Sequence, residues 1–157
     1  MKKLFLIIIL TAVLSDQISK LYINSLIDEE EFIEICGFIK LVEVWNSGVS
    51  FGLFNTLPYR HLVFSILAIF IIVALLCSLY KTNDRLVCLG FSLMIGGAIG
   101  NVIDRISWKA VYDFIYFHIG DWYWPAFNLA DSYIVCGMLI LSCKHAYDVY
   151  IFKRNSE

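Results

Sequence analysis

Four apolar stretches, each close to the length that crosses a bilayer, constrain this chain more than any other feature. A spanning helix needs about 20 mainly apolar residues. Leu4 to Ile27, Leu62 to Tyr80, Leu86 to Ile103 and Leu129 to Phe152 meet that requirement. Apolar residues make up 60% of the 157, against about 45–50% in soluble domains. The expected fold is an α-helical membrane protein: four transmembrane helices and a small extracytoplasmic β-cradle in a single integral membrane domain, residues 1–157. The first stretch also has the look of a secretory signal, with Lys2 and Lys3 before an apolar run and small residues at Ala12 and Ser15. Its apolar character resumes after Asp16, which favours a retained span.

Lys and Arg set the orientation. With the N-terminus in the cytoplasm, Lys2, Lys3, Lys81, Arg85, Lys153 and Arg154 all fall inside, and the acidic run Asp28 to Glu31 falls outside. Both termini are then cytoplasmic, and segments 28–61 and 104–128 are external. Phe32 to Phe54 and Ser107 to Phe127 are rich in β-branched and aromatic residues and alternate in part, which predicts two to four short strands. Such apolar external segments are expected to rest on the outer membrane surface or to roof a cavity.

Composition removes several function classes. A net charge of -2 offers no basic face for nucleic acid. Five cysteines, four of them in apolar runs, form neither a disulfide framework nor a zinc spacing. No cofactor or metal is expected.

The carboxylates carry the chemistry. A charge within a span costs roughly 2.5–3.5 kcal/mol even on the mild insertion scale, so its default meaning is a functional site or an internal pair. Asp16 lies 13 residues past Lys3, about 20 Å up the helix, and Lys20 one turn higher. Asn101, Asp104 and Arg105 close the third span, Asn128 and Asp131 open the fourth, and Asp113 lies in the segment joining them. Four acidic groups distant in sequence therefore share outer-leaflet depth. Asp16 and Lys20 also read as a helix-stabilising i, i+4 pair, Asp104 with Arg105 as an interfacial ion pair, and Asn128 with Asp131 as a helix cap. Asp113 has no such role. It interrupts the apolar run Val111 to Phe117, and an unpaired carboxylate there is costly. Asp131 is its nearest partner by topology. Two facing carboxyls can share a proton, one activating water and the other protonating a carbonyl oxygen.

Other nucleophiles are poorly supported. The chain has no H-E-x-x-H, and its three histidines are scattered. A Ser–Lys dyad would need Lys20, which is expected to be engaged by Asp16 one helical turn away. A transporter would need polar groups along a whole path, yet the second span is almost purely apolar. A non-catalytic assembly factor would not need two neighbouring carboxyls.

Five motifs follow in order: D-Q-x-x-K (Asp16, Gln17, Lys20), N-x-G-x-x-F (Asn46, Gly48, Phe51), G-G-A-I-G-N-V-I-D-R (Gly96 to Arg105), V-x-D-F (Val111, Asp113, Phe114) and F-N-L-A-D-S (Phe127 to Ser132). With four spans, the chain resembles the lipoprotein signal peptidases, or signal peptidase II, over essentially its whole length. The resemblance implies a multi-pass enzyme of the bacterial inner membrane, with its active site towards the outer face. Such an enzyme cuts signal peptides from prolipoproteins just before a diacylglyceryl-modified cysteine. It implies an aspartate dyad at Asp113 and Asp131, with Asp16, Lys20, Asn46, Asn101, Asp104, Arg105 and Asn128 shaping or supporting the site. Membrane lipid and globomycin-type peptide antibiotics are the further partners it implies. Two positions depart from the family pattern: Trp45 replaces a basic or imidazole residue, and Lys109 replaces a glycine.

The orientation has a direct check. In a variant whose only cysteine is Cys36, a membrane-impermeant thiol reagent added to intact spheroplasts is expected to label that residue. Protection of Cys36, with labelling of a cysteine introduced at Asn83, would reverse the topology.

Overall fold

The structure, a computed structural model, describes residues 2–27, 32–48, 59–120 and 122–155. The acidic run Asp28 to Glu31, Phe51 of the second motif and Asp121 lie outside the described residues. Four helices carry the chain: α1 (Lys2–Asn24), α2 (Arg60–Lys81), α3 (Arg85–Trp108) and α4 (Leu129–Arg154). Each is long and apolar enough to cross a membrane. Large apolar side chains face outward on three of them: Ile18 and Leu21 on α1, Ile66 and Phe70 on α2, and Leu139 on α4 are all more than half exposed. Such faces are suited to lipid as their solvent.

Helix α3 is central and packs against the other three. Its glycines make that possible. A Cβ at Gly96 would meet the Ala12 Cβ at 2.6 Å, and one at Gly97 would collide with the Ala130 carbonyl. Close packing accounts for these two. Gly100 differs, because a Cβ there would collide with the carboxylate of Asp16. It clears space for a charge. Ile9, Ile72, Ile95 and Val102 form the apolar core beside this seam.

The third apolar stretch ends at Ile103, and α3 continues beyond it to Trp108, so Asp104 and Arg105 are helical. Nothing in residues 104–108 breaks a helix. The stop comes at Lys109, which takes the left-handed conformation with φ 60° and donates its N–H to the Arg105 carbonyl.

A four-stranded antiparallel sheet sits at this end of the bundle, in the order β1 (Ile33–Cys36), β2 (Ile39–Asn46), β3 (Val111–Ile119) and β4 (Trp122–Tyr123). Val44 pairs with Asp113 and Asn46 with Val111 across β2 and β3. The strand expected towards Phe127 is shorter. Pro125 supplies no N–H, and pairing resumes only at Phe127, whose N–H donates to the Ile115 carbonyl at 3.0 Å and whose carbonyl accepts from Ile115 at 2.8 Å. That clamp holds the entry to α4 against β3, one residue before Asn128 and two beyond Asp113.

The strained cap generates a prediction. Glycine adopts positive φ without the Cβ penalty, so Lys109→Gly is expected to stabilise the protein by about 0.5–1 kcal/mol. A thermal midpoint in detergent that falls instead would mean that the Lys109 side chain contributes more than the strain costs.

Candidate active site

The site is built on a buried ion cluster. Asp16, Lys20 and Asp104 are 0%, 4% and 3% exposed. The Lys20 Nζ lies 2.9 Å from Asp16 Oδ2 and 2.7 Å from Asp104 Oδ2, and donates to Asn101 Oδ1 at 3.1 Å. An ammonium has three N–H donors, and here each has an acceptor. The carboxylates are equally well held. Asp16 Oδ1 accepts from the Ala130 N–H at 2.9 Å. Asp104 Oδ2 accepts from the Tyr112 N–H at 3.3 Å. The Gln17 amide donates to Asp104 Oδ1 at 2.9 Å, to Asp16 Oδ2 at 3.1 Å and to the Gly100 carbonyl at 3.2 Å. The cluster therefore joins α1 to α3, to the first turn of α4 and to the start of β3.

Asparagines carry the structure from this cluster to the two remaining carboxyls. Asn128 is the N-cap of α4. Its Oδ1 accepts from the Asp131 N–H at 3.0 Å, while Asp131 Oδ2 accepts from the Asn128 N–H at 3.3 Å, which makes a full capping box. The Asn128 Nδ2 donates to Asp113 Oδ1 at 2.7 Å. Asn46 on β2 donates to Asp113 Oδ2 at 3.0 Å, and Asn101 donates to Asp131 Oδ1 at 2.8 Å. Every oxygen of both carboxyls thus has an amide partner, and Asn128 touches both groups.

The two carboxyls differ in setting. Asp113 is 2% exposed and Asp131 is half-buried. Burial, and then the charge of Asp131, push the Asp113 carboxyl up to about 7, against the opposing amides of Asn46 and Asn128 and the charge of Lys20. Asp131 faces a cavity of about 400 Å³ between α2, α3 and α4, lined also by Ala68, Ile71, Asn101, Arg105 and Ile134. Arg105 Nη1 donates to the Asn101 carbonyl at 3.3 Å. Its Nε is buried with no partner among the described residues.

All nine residues picked from sequence thus join one network. Some partners differ from the expectation. Asp104 pairs with Lys20 rather than with its neighbour Arg105. Asp131 is at once a capping residue and a neighbour of Asp113. Gln17 appeared only as a motif letter, although it bridges two carboxylates, and the backbone donors of Ala130 and Tyr112 have no signal in side-chain identity.

A family model described as signal peptidase (SPase) II matches residues 8–147. The chain belongs to the signal peptidase II family. It is 46% identical over 142 residues to a lipoprotein signal peptidase of Anaplasma phagocytophilum, spanning 88% of this chain and 90% of that one. A lipoprotein signal peptidase of Rickettsia bellii is 39% identical over 153 residues, covering 96% and 76%. The fold superposes with a TM-score of 0.83 on a bacterial membrane enzyme solved by the in meso method at 2.3 Å resolution, with 27% identity, covering 94% of this chain and 90% of that one. The protein is a protease, and its carboxyl-rich site fits the aspartic type of signal peptidase II.

The departure at Trp45 now has a setting. Its ring packs against Tyr112 and Trp108, with centroids 5.0 and 6.1 Å away, and its Nε1 donates to Glu43 at 2.7 Å.

The ion cluster makes a stability prediction. Lys20→Met leaves two buried carboxylates without a cation and is expected to cost about 3–5 kcal/mol. Asp104→Asn leaves a one-to-one pair and should cost clearly less. Thermal unfolding of both variants in one detergent tests the order, and equal midpoints would contradict it.

Proposed function

We propose that Asp113 and Asp131 are the catalytic dyad of a signal peptidase that cuts prolipoproteins just before a diacylglyceryl-modified cysteine. The removal of signal peptides from prolipoproteins follows from family membership. The observation that carries the finer reading is the unequal pair itself: two carboxyls bridged by Asn128, one sealed and one open to an apolar cavity.

The arrangement divides the labour. With its carboxyl raised to about 7 by burial and the Asp131 charge, Asp113 can hold a proton for the scissile carbonyl oxygen. Asp131 faces the cavity and takes a proton from the attacking water. The resulting tetrahedral carbon collapses, and the amine of the cysteine leaves with a proton from the dyad. No covalent enzyme intermediate is needed. Arg105, with its unpaired Nε beside the cavity, is placed to hold a substrate carbonyl. Asn46, Asn101 and Asn128 keep the two carboxyls in register, while Asp16, Lys20 and Asp104 support them from below.

We place the enzyme in the bacterial inner membrane as a single membrane domain with both termini cytoplasmic and the dyad towards the outer face. The Lys and Arg distribution supports this orientation. A diacyl anchor on the cysteine would fix the height of the scissile bond at the dyad, since each buried methylene contributes about 0.8 kcal/mol to membrane attachment. Globomycin-type peptides would compete for the same cavity.

Three outcomes test this reading. Asp113→Asn and Asp131→Asn should each lower turnover about 10³-fold or more while the protein still folds, because each loses a proton-transfer group. Wild-type cleavage should fall as pH rises through about 7, where Asp113 gives up the proton it must donate; a rate still climbing through that range would assign the proton elsewhere. Lipidated prolipoprotein should be cut far faster than the unlipidated form in the same detergent, with no loss on adding a chelator. An active Asp113→Asn variant would sink the dyad.

A further inference from the structure

Asp131 borders two grooves. The first is the cavity of about 400 Å³ between α2, α3 and α4. The second is a groove of about 440 Å³ on another face of α4, roofed by the segment from Trp124 to Phe127 and floored by Ser132, Val135 and Cys136. Helical geometry separates them. At 3.6 residues per turn, Ile134 and Met138 lie about 60° and 20° to one side of Asp131. Val135 and Cys136 lie about 40° and 140° to the other side.

The substrate proposed above has two lipophilic parts, one on each side of the bond to be cut. The signal segment precedes the bond, and the diacylglyceryl cysteine follows it. Resting on that reading, we infer that the two grooves sort these parts. The groove between α2, α3 and α4 receives the side chains of the signal segment, and the groove beneath Trp124 to Phe127 receives the acyl chains.

Depth supports the assignment. The first groove runs from Asn101 and Asp131 to Met94 and Met138, seven residues or about 10 Å along both helices. Three helices line it, so it follows the path of a segment that rises through the bilayer. The second is lined by one helix and a loop. Its mouth is open at Trp124, Val135 and Cys136, which are exposed on the outer surface of the helix bundle. Acyl chains can enter there sideways from the outer leaflet while the glyceryl carbon stays beside Asp131.

The linings support it as well. Signal segments vary in sequence, whereas the lipid is constant. Met94 and Met138 are unbranched and adaptable, and with Ile71 and Leu75 they suit a varied apolar partner. Trp124, Pro125 and Phe127 are rigid and give the second groove a fixed shape suited to one ligand.

Photolysis tests the assignment in the folded, turnover-blocked enzyme. Asp113→Asn protein is loaded with a diacylglyceryl prolipoprotein carrying a diazirine in one acyl chain, irradiated and mapped by peptide mass. Adducts are expected on Trp124 to Phe127, Val135 or Cys136. Adducts on Ala68 to Leu75 of α2 would overturn the inference. A kinetic arm reads specificity: Val135→Trp, which fills the second groove, should lower the preference for lipidated over unlipidated substrate about tenfold or more, as the loss of two buried methylenes would. Ala98→Phe in the first groove should raise KM for both forms and leave that preference in place; collapse of the preference in this variant alone would also overturn the inference. Equal cutting of both forms by the wild type would contradict the lipid dependence proposed above, whereas the photolysis reads the groove assignment on its own.

Discussion

A lysine ammonium sealed between two carboxylates at membrane depth is the interaction on which the rest of this structure depends. Taking such charges out of water costs several kcal/mol for each ion, and the cost is offset only when every donor and acceptor is used. Lys20 meets that condition with three acceptors for three N–H groups. The condition dictates the packing around it. Gly100 has no side chain because Asp16 occupies that space, and the first turn of α4 comes close enough for the Ala130 N–H to reach Asp16.

Polarity then propagates outward by elimination. Lys20 can only donate, so Asn101 turns its oxygen towards it and its Nδ2 towards Asp131. The oxygen of Asn128 is taken by the Asp131 N–H in the helix cap, so its Nδ2 faces Asp113. Two amides are oriented by groups outside the Asp113–Asp131 pair, and in turn hold that pair. The asymmetry of the proposed dyad arises here too. Asp113 is sealed by β2, β3 and the entry to α4, while Asp131 projects from a helix terminus into an open cavity. A single asparagine thus links the α4 cap to both carboxyls of the proposed dyad.

Much of this was legible in the sequence because depth is legible. A rise of 1.5 Å per residue places Asp16, Lys20, Asn101, Asp104 and Asp131 at one level without knowledge of which helices touch. Asp113 stood out because it broke an apolar strand. Less visible was anything decided by backbone. At the end of α3 the apolar run stops at Ile103 while the hydrogen bonds continue to a left-handed Lys109. Asp104 beside Arg105 also read as an ion pair, but adjacent residues on a helix point in different directions, and the ion-pair partner of Asp104 is Lys20 on α1. The role of Gln17 depended on Gly100 and Asp104 approaching from another helix. The two grooves depend on the side-chain shape of several elements and have no one-dimensional signature.

The central claim is that burial and a neighbouring charge leave one proton on Asp113 near neutral pH. Infrared difference spectroscopy of the purified protein, with the Asp113 band assigned by its loss in Asp113→Asn, measures this directly. The account predicts a protonated carboxyl band that persists well above the ordinary carboxylate range and disappears as pH rises through about 7. A band already lost near the ordinary value of 3.8 would contradict it.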